Sequence, residues 1–345
     1  MLKQQTVFVV GAGASKEFGL PVGSELAIKI SEKLDVLFDD FGTKIESGDK
    51  DLFYNVTKNH TQEGLQYQKA AWLIRDGIIL AHSIDDFLDV HHHDERVVGY
   101  GKAAIAKCVL EAERASKLFF DPNAQRLKPG TPTIDFRGCA DTWLVGLMRL
   151  LVRGTPHADR AKIFDRCTFI IFNYDRCVQH FFVNALQRFY SIDEREAVEI
   201  VNAANIYHPY GLVGQLGNAI TTGGIAPFGT VRADYYNLGK TMLKTYTESV
   251  ESKEIRAAVM SAEQVVFLGF AFHDQNMKLL SDDLSLDIKK YIGTAFGMSE
   301  SDVKVVDEQI SGWANTPIDI VLHRNIDIRN NLKAADVFNF YSKSL

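Results

Sequence analysis

The chain has 345 residues, 46% hydrophobic and 24% charged, with a formal net charge of −6. This balance suits a soluble globular protein, and no apolar run approaches the ~18–20 residues that span a bilayer. An acidic chain also carries no general basic field, which excludes broad affinity for nucleic acid or anionic membrane. Its length exceeds the ~100–200 residues of an ordinary domain, so one large α/β unit with an insertion, or two closely packed domains, is expected.

Residues Thr6–Val10 form the apolar run of a fully buried parallel strand. Met1 to Gln5 lead straight into it, leaving no room for a signal peptide, so a cytoplasmic protein is expected. The turn that follows, Gly11-Ala-Gly-Ala-Ser15, has the glycines that tight turning and close approach to a pyrophosphate require. Backbone N–H groups of a helix beginning there would face the anion. Taken alone, a Gly-x-Gly turn also serves any strand-to-helix junction, because glycine adopts positive φ freely.

Gly23–Phe38 has apolar residues near helical spacing and predicts an amphipathic helix over the first strand. Residues 40–65 read as a loop followed by short helices. From Tyr67 to Leu151 the pattern is helical, strongest at Ala70–Leu80, Ser83–Val90, Ala103–Phe120 and Asp141–Val152, which predicts a helical insertion over 41–159. Ser83-Ile-Asp-Asp86 has the spacing of a capping box, with Asp86 in place of the usual Glu; a direct site role is the other reading. The tandem His91–His93 lacks the spacing of metal ligands and reads as a solvated helix end. Cys108, Cys139, Cys167 and Cys177 include no Cys-x-x-Cys pair, so they read as reduced packing residues and no metal site is expected.

Strands resume at Cys167–Phe172, Ala204–Tyr207, Val265–Leu268 and Lys290–Ala295, and Cys177–Tyr190 between them is a helix with one apolar stripe. Alternation of this kind predicts an α/β fold: a Rossmann-like parallel sheet with helices on both faces, formed by 1–40 and 160–345. Asn173 and Asp175 fall just beyond the carboxyl end of a buried strand, where open α/β sheets bind ligands. Both residue types equally suit capping of the next helix, and spacing leaves the two readings level.

The next strand leads to His208, the side chain best suited to proton transfer near pH 7. Strand alternation would put His208 and Tyr210 on one face and Tyr207 on the other, unless Pro209 bends the segment. A third strand runs into Gly269 and Phe-Ala-Phe-His-Asp274, so three crossover strands deliver glycine or polar groups to one edge.

In this order, Gly11-Ala-Gly-Ala-Ser15 with Gly19-Leu-Pro21, Ser83-Ile-Asp-Asp-Phe-Leu88, Phe172-Asn-Tyr-Asp175, Tyr207-His-Pro-Tyr-Gly211 and Leu268-Gly-Phe-Ala-Phe-His-Asp274 resemble the SIR2-like family of bacterial proteins. The resemblance covers the nucleotide-binding core at both ends of the chain, and touches the central region chiefly through Ser-Ile-Asp-Asp-Phe-Leu. It implies a Rossmann-like NAD-binding domain and an NAD glycohydrolase, with NAD as substrate and no metal. Many such proteins resemble antiphage effectors that deplete NAD, so a homo-oligomer and a HerA-like ATPase or another defence partner are implied. The classical sirtuins of the same superfamily are deacylases whose zinc ribbon needs paired cysteines, which favours hydrolysis here.

The resemblance also implies roles. Gly11, Ala12, Gly13 and Ser15 would contact the pyrophosphate, with Ala14, Pro21, Asp85, Gly269 and Asp274 completing the nucleotide-binding set. Asn173 would hold the reacting ribose or the attacking water, and Asp175 the nicotinamide carboxamide. Relatives commonly carry His immediately before the motif's glycine, whereas this chain has Tyr210 there and His208 two residues earlier. Tyrosine, with an unperturbed pKa of ~10, is a poor base. Either His208 serves as base from the same strand face, or Tyr210 weakens turnover. The alternative function is a non-catalytic NAD- or ADP-ribose-binding regulatory module of a defence complex.

Overall fold

The computed structural model describes residues 2–42, 44–121, 133–217, 224–248, 253–281, 290–313 and 325–345. Its strands are β1 (Thr6–Val10), β2 (Leu37–Phe38), β3 (Ile45–Ser47), β4 (Cys167–Ile171), β5 (Asn205–Tyr207), β6 (Gln215–Leu216), β7 (Ile225–Ala226), β8 (Gln264–Leu268), β9 (Lys290–Thr294) and β10 (Ile326–Arg329). Six of them make one sheet in the order β5-β4-β1-β8-β9-β10, and every neighbouring pair is parallel. Counted along the chain, that order is 3-2-1-4-5-6, the doubly wound arrangement of a Rossmann-like fold. The order reverses between β1 and β8, and crossover topology leaves a place for a ligand beyond the carboxyl ends there.

Both faces of the sheet are covered, which is why its central strands β1 and β8 are buried at every position and apolar at all but the first, Thr6 and Gln264. Val7, Val9, Val265 and Phe267 face one core, shared with helices Gly23–Lys33, Gly64–Gly77 and Glu95–Ala115. Phe8, Val10, Phe169, Ile171 and Leu268 face the other, shared with helices Trp143–Val152, Cys177–Tyr190 and Ala334–Phe340. Phe181 and Phe182 are almost fully buried in this second core, each contributing roughly 2–3 kcal/mol of transfer free energy.

The residues expected to form an insertion are divided between the two layers. Helix Glu95–Ala115 packs on Gly23–Lys33, Gly64–Gly77 and Tyr235–Met242, whereas Trp143–Val152 packs on Ala334–Phe340 and Cys177–Tyr190. Residues 122–132 of the expected helical stretch lie outside the described residues.

Several elements differ from the sequence expectation. The helix expected over Gly23–Phe38 ends at Lys33, where the Leu34 N–H closes on Ile30 and Ser31. Leu37–Phe38 then pairs antiparallel with Ile45–Ser47, a hairpin that the polar reading of 40–65 did not anticipate. The sixth central strand, β10, was likewise not expected. Ser83 does cap the helix Ile84–Val90, accepting from the Asp86 N–H across 3.1 Å.

All four cysteines are buried and unbridged. Among the described residues, no helix is long and apolar enough to cross a membrane, and no group of three His, Cys, Asp or Glu is placed to hold a metal ion.

Candidate nucleotide site at the carboxyl edge of the sheet

The turns after β1 and β8 touch at the reversal point. Gly11 N–H donates to the Leu268 carbonyl across 2.9 Å, and Gly13 N–H to the Gly269 carbonyl across 3.0 Å. A Cβ on Gly11 would stand 2.5 Å from Gly269 O, and one on Gly269 only 2.1 Å from the Ala14 nitrogen. These glycines are therefore required by contact between two backbones. The same bonds occupy the Gly11 and Gly13 N–H groups, and the Ala14 N–H bonds back to Gly11 O. The expectation that these N–H groups face a pyrophosphate is thus not met in this conformation, because they are spent within the protein. Ala12 and Gly13 remain half-buried at the edge, Ala14 is fully buried, and Pro21 is half-buried beyond the short helix Ala12–Ser15.

Asn173 and Asp175 both turn toward this junction. The Asn173 amide Nδ2 donates to Gly11 O across 3.0 Å and to Ser15 Oγ across 2.9 Å. Ser15 Oγ–H in turn donates to Asp175 Oδ2 across 2.8 Å. The second Asp175 oxygen accepts from the Cys177 N–H across 3.0 Å. The two readings left level by the sequence are therefore resolved residue by residue: Asp175 ties down the start of helix Cys177–Tyr190, and Asn173 does not. Ser15, Asn173 and Asp175 are all buried, and burial raises the Asp175 carboxyl despite its N–H and O–H donors.

His208 joins this network from the turn that follows β5. Its Nδ1 stands 3.3 Å from the Asn173 carbonyl oxygen and its Nε2 stands 2.7 Å from Gln179 Nε2. Burial pushes the imidazole down to about 4, so it is neutral at pH 7. Tyr210 goes elsewhere. Its hydroxyl donates to Asn276 Oδ1 across 2.6 Å, and its ring lies 5.9 Å from Phe172 in the opposite core. The same-face placement of His208 and Tyr210 is thus corrected: β5 ends at Tyr207, and a turn closed by Gly211 N–H on His208 O breaks the alternation at Pro209. Tyr210 is also held protonated, since burial and the charges of Asp85 and Asp86 push its hydroxyl further up.

Asp85 lies on the Tyr210 side. It accepts a short hydrogen bond from the Tyr174 hydroxyl, and burial pushes its carboxyl up to about 7. Tyr174 and Tyr210 rings are 6.4 Å apart. The expected site residues therefore form two patches on either side of the Phe172–Asp175 segment: Ser15, Asn173, Asp175 and His208 on one, Asp85 and Tyr210 on the other. Asp274 joins neither patch; it is exposed and accepts from Gln309 Nε2 across 2.7 Å.

Sequence reasoning missed Gln179, Asn276 and the pair Glu113–Arg176. Arg176 and Glu113 are fully buried, with Arg176 Nε donating to Glu113 Oε1 across 3.0 Å. The guanidinium also donates to the carbonyls of Gly214, Ala226 and Pro227, and Glu113 Oε2 accepts from the Gly229 N–H. Arg176 adjoins Asp175 in sequence, so this pair fixes the backbone of the site. Two clefts, of about 910 Å³ and 760 Å³, lie on the helical layer: the first lined by Lys58, His60, Glu63, Tyr67, Arg96 and Tyr236, the second by Leu37, Phe38, Phe53, Leu65, Gln68 and Trp72.

Fold and edge together define a doubly wound α/β protein whose amide, carboxyl and imidazole groups converge beside the first glycine turn. No protein-family model matches the chain, and no curated protein matches it.

Proposed function

We propose that the chain is an NAD glycohydrolase: water replaces nicotinamide at the ribose carbon, giving ADP-ribose, nicotinamide and a proton. One observation carries this reading above the others, the gathering of Ser15 Oγ on the Asn173 side-chain amide and of His208 Nδ1 on the Asn173 main-chain carbonyl at the carboxyl edge beside β1. Cleavage of this bond develops oxocarbenium character, and a neutral imidazole beside an amide is a fitting pair to take a proton from the ribose or the water and to hold it in place. In this reading Asn173 positions the ribose or water, Asp175 fixes Ser15 and the helix start, and His208 is the base, Tyr210 being held protonated. The order of the five motifs supports a cytoplasmic antiphage effector, acting as a homo-oligomer with a HerA-like ATPase or another defence partner that releases its activity.

A second reading, a module that binds NAD or ADP-ribose without turning it over, is favoured by the engagement of both His208 nitrogens. Incubating the purified chain with NAD separates the two. Nicotinamide release that falls at least ~100-fold in Asn173→Ala and in His208→Ala is the expected result; calorimetric binding of ADP-ribose with no nicotinamide release at any enzyme concentration selects the second reading.

A further inference from the structure

From these contacts we infer that Gln179 is a latch on His208: its amide N–H occupies the imidazole lone pair through which His208 would take a proton, until a ribose diol takes that bond over. The inference rests on the reading of His208 as the base of an NAD-cleaving site. Gln179 lies on the first turn of helix Cys177–Tyr190, and its Nε2 is 2.7 Å from His208 Nε2. On the other side of the ring, His208 Nδ1 faces the Asn173 carbonyl oxygen at 3.3 Å.

A carbonyl oxygen only accepts, so Nδ1 carries the hydrogen. Nε2 of the neutral ring is then an acceptor, and Gln179 must present its N–H rather than its oxygen. That orientation has a cost, because Gln179 Oε1 is buried with no partner among the described residues. Turning the amide over would satisfy the oxygen only if Nε2 also carried a hydrogen, which requires the imidazolium that burial disfavours.

The resting site is consequently self-consistent but leaves one acceptor orphaned beside the base. Two adjacent hydroxyls relieve both constraints together. One O–H donates to His208 Nε2, displacing the amide, and the second donates to Gln179 Oε1. A ribose carries such a pair. In this arrangement Gln179 is a positioning residue: it fixes the tautomer's free nitrogen toward the diol and withholds that nitrogen when no diol is present.

The test uses the full chain with ¹⁵N-labelled histidine. In the wild type, long-range ¹H–¹⁵N spectra are expected to show the Nδ1–H tautomer, with the Nε2 resonance displaced by an accepted hydrogen bond. Gln179→Ala should keep the tautomer, release that displacement, hold its melting midpoint within a few degrees, and shift KM for NAD several-fold with kcat little changed, because the bound diol has already displaced the amide and loses Oε1 as an acceptor. Gln179→Glu, whose carboxylate can only accept, should place a hydrogen on Nε2. An Nε2–H tautomer in the wild type, an unmoved Nε2 resonance in Gln179→Ala, or a folded Gln179→Ala that loses a nicotinamide release the wild type has, each overturns the latch. Expected ¹⁵N shifts with no nicotinamide released by either protein leave the latch standing and overturn the hydrolase reading.

Discussion

Gly13 and Gly269 meet backbone to backbone: the N–H of the first donates to the carbonyl of the second across 3.0 Å, and a Cβ on Gly13 would stand 2.9 Å from both the Cα and the O of Gly269. Gly269 also has φ of +55°, a conformation that favours glycine. Gly269→Ala therefore combines left-handed strain with overpacking against main chain that cannot rotate away, and should cost about 3 kcal/mol or more. Gly19→Ala is the comparison, since Gly19 has φ of +95° but nothing within 4 Å of its added carbon; about 1–2 kcal/mol is expected there. Urea unfolding of both variants measures the difference, and equal losses would refute the steric account.

Asp85 sets a pH dependence of stability. Its carboxyl is raised from 3.8 to about 7 by burial, with Tyr174 donating against that trend and Asp86 and Asp89 adding to it. The folded state therefore binds the proton more tightly than the unfolded chain, so this contribution is full below pH ~4 and is lost as pH rises through ~7. The loss is on the order of 2–4 kcal/mol. Asp85→Asn keeps an acceptor for Tyr174 and removes the titration. Its stability relative to wild type should rise between pH 5 and pH 8, read by denaturant midpoints at each pH.

Glu17 ties together two helix starts. Its Oε2 accepts from the Trp143 N–H and its Oε1 from the Ala335 N–H, each across 2.8 Å. Both helices pack on the second core, and one side chain satisfies an otherwise orphaned donor in each. Glu17→Ala should cost about 2–3 kcal/mol, the sum of two caps. Hydrogen exchange is expected to quicken at both Trp143 and Ala335; protection lost at only one of them would limit the role to a single cap.

The buried pair Glu113–Arg176 predicts strong non-additivity. Glu113→Gln or Arg176→Met leaves an uncompensated charge or orphaned donors in a dry interior, about 3–5 kcal/mol each. The double variant Glu113→Gln/Arg176→Met should lose clearly less than the sum, with a coupling of at least ~1 kcal/mol in a double-mutant cycle. Additive losses would show that the two side chains act independently.

The elements readable in the sequence are those that burial on both faces makes continuously apolar. β1 and β8 beyond their first residue and β4 beyond its second announce themselves in this way, and the helix Cys177–Tyr190 does so by an apolar stripe on one face. β10 lies at an edge, and Ile326-Asp-Ile-Arg329 alternates over only four residues, so it carries little signal. Asn173 and Asp175 were legible as a pair at a strand end; which of them caps the helix depended on Ser15, 160 residues from Asp175. Glu113 and Arg176 lie 63 residues apart, and neither has a local pattern that betrays the other. The split of His208 from Tyr210 follows the bend at Pro209 that the sequence left open, since nothing local in Tyr207-His-Pro-Tyr-Gly211 decides between a straight and a bent segment.

That turn fastens two sides of the molecule to one short length of chain. His208 is held by Gln179 and Asn173, while two residues later Tyr210 is held by Asn276, its carbonyl accepts from the Lys244 N–H, and Gly211 bridges to Leu243. Only Pro209 separates the residue held on the imidazole side from the residue held in the opposite layer. Occupancy at one flank of the sheet should be legible at the other, as altered amide protection at Leu243 and Lys244.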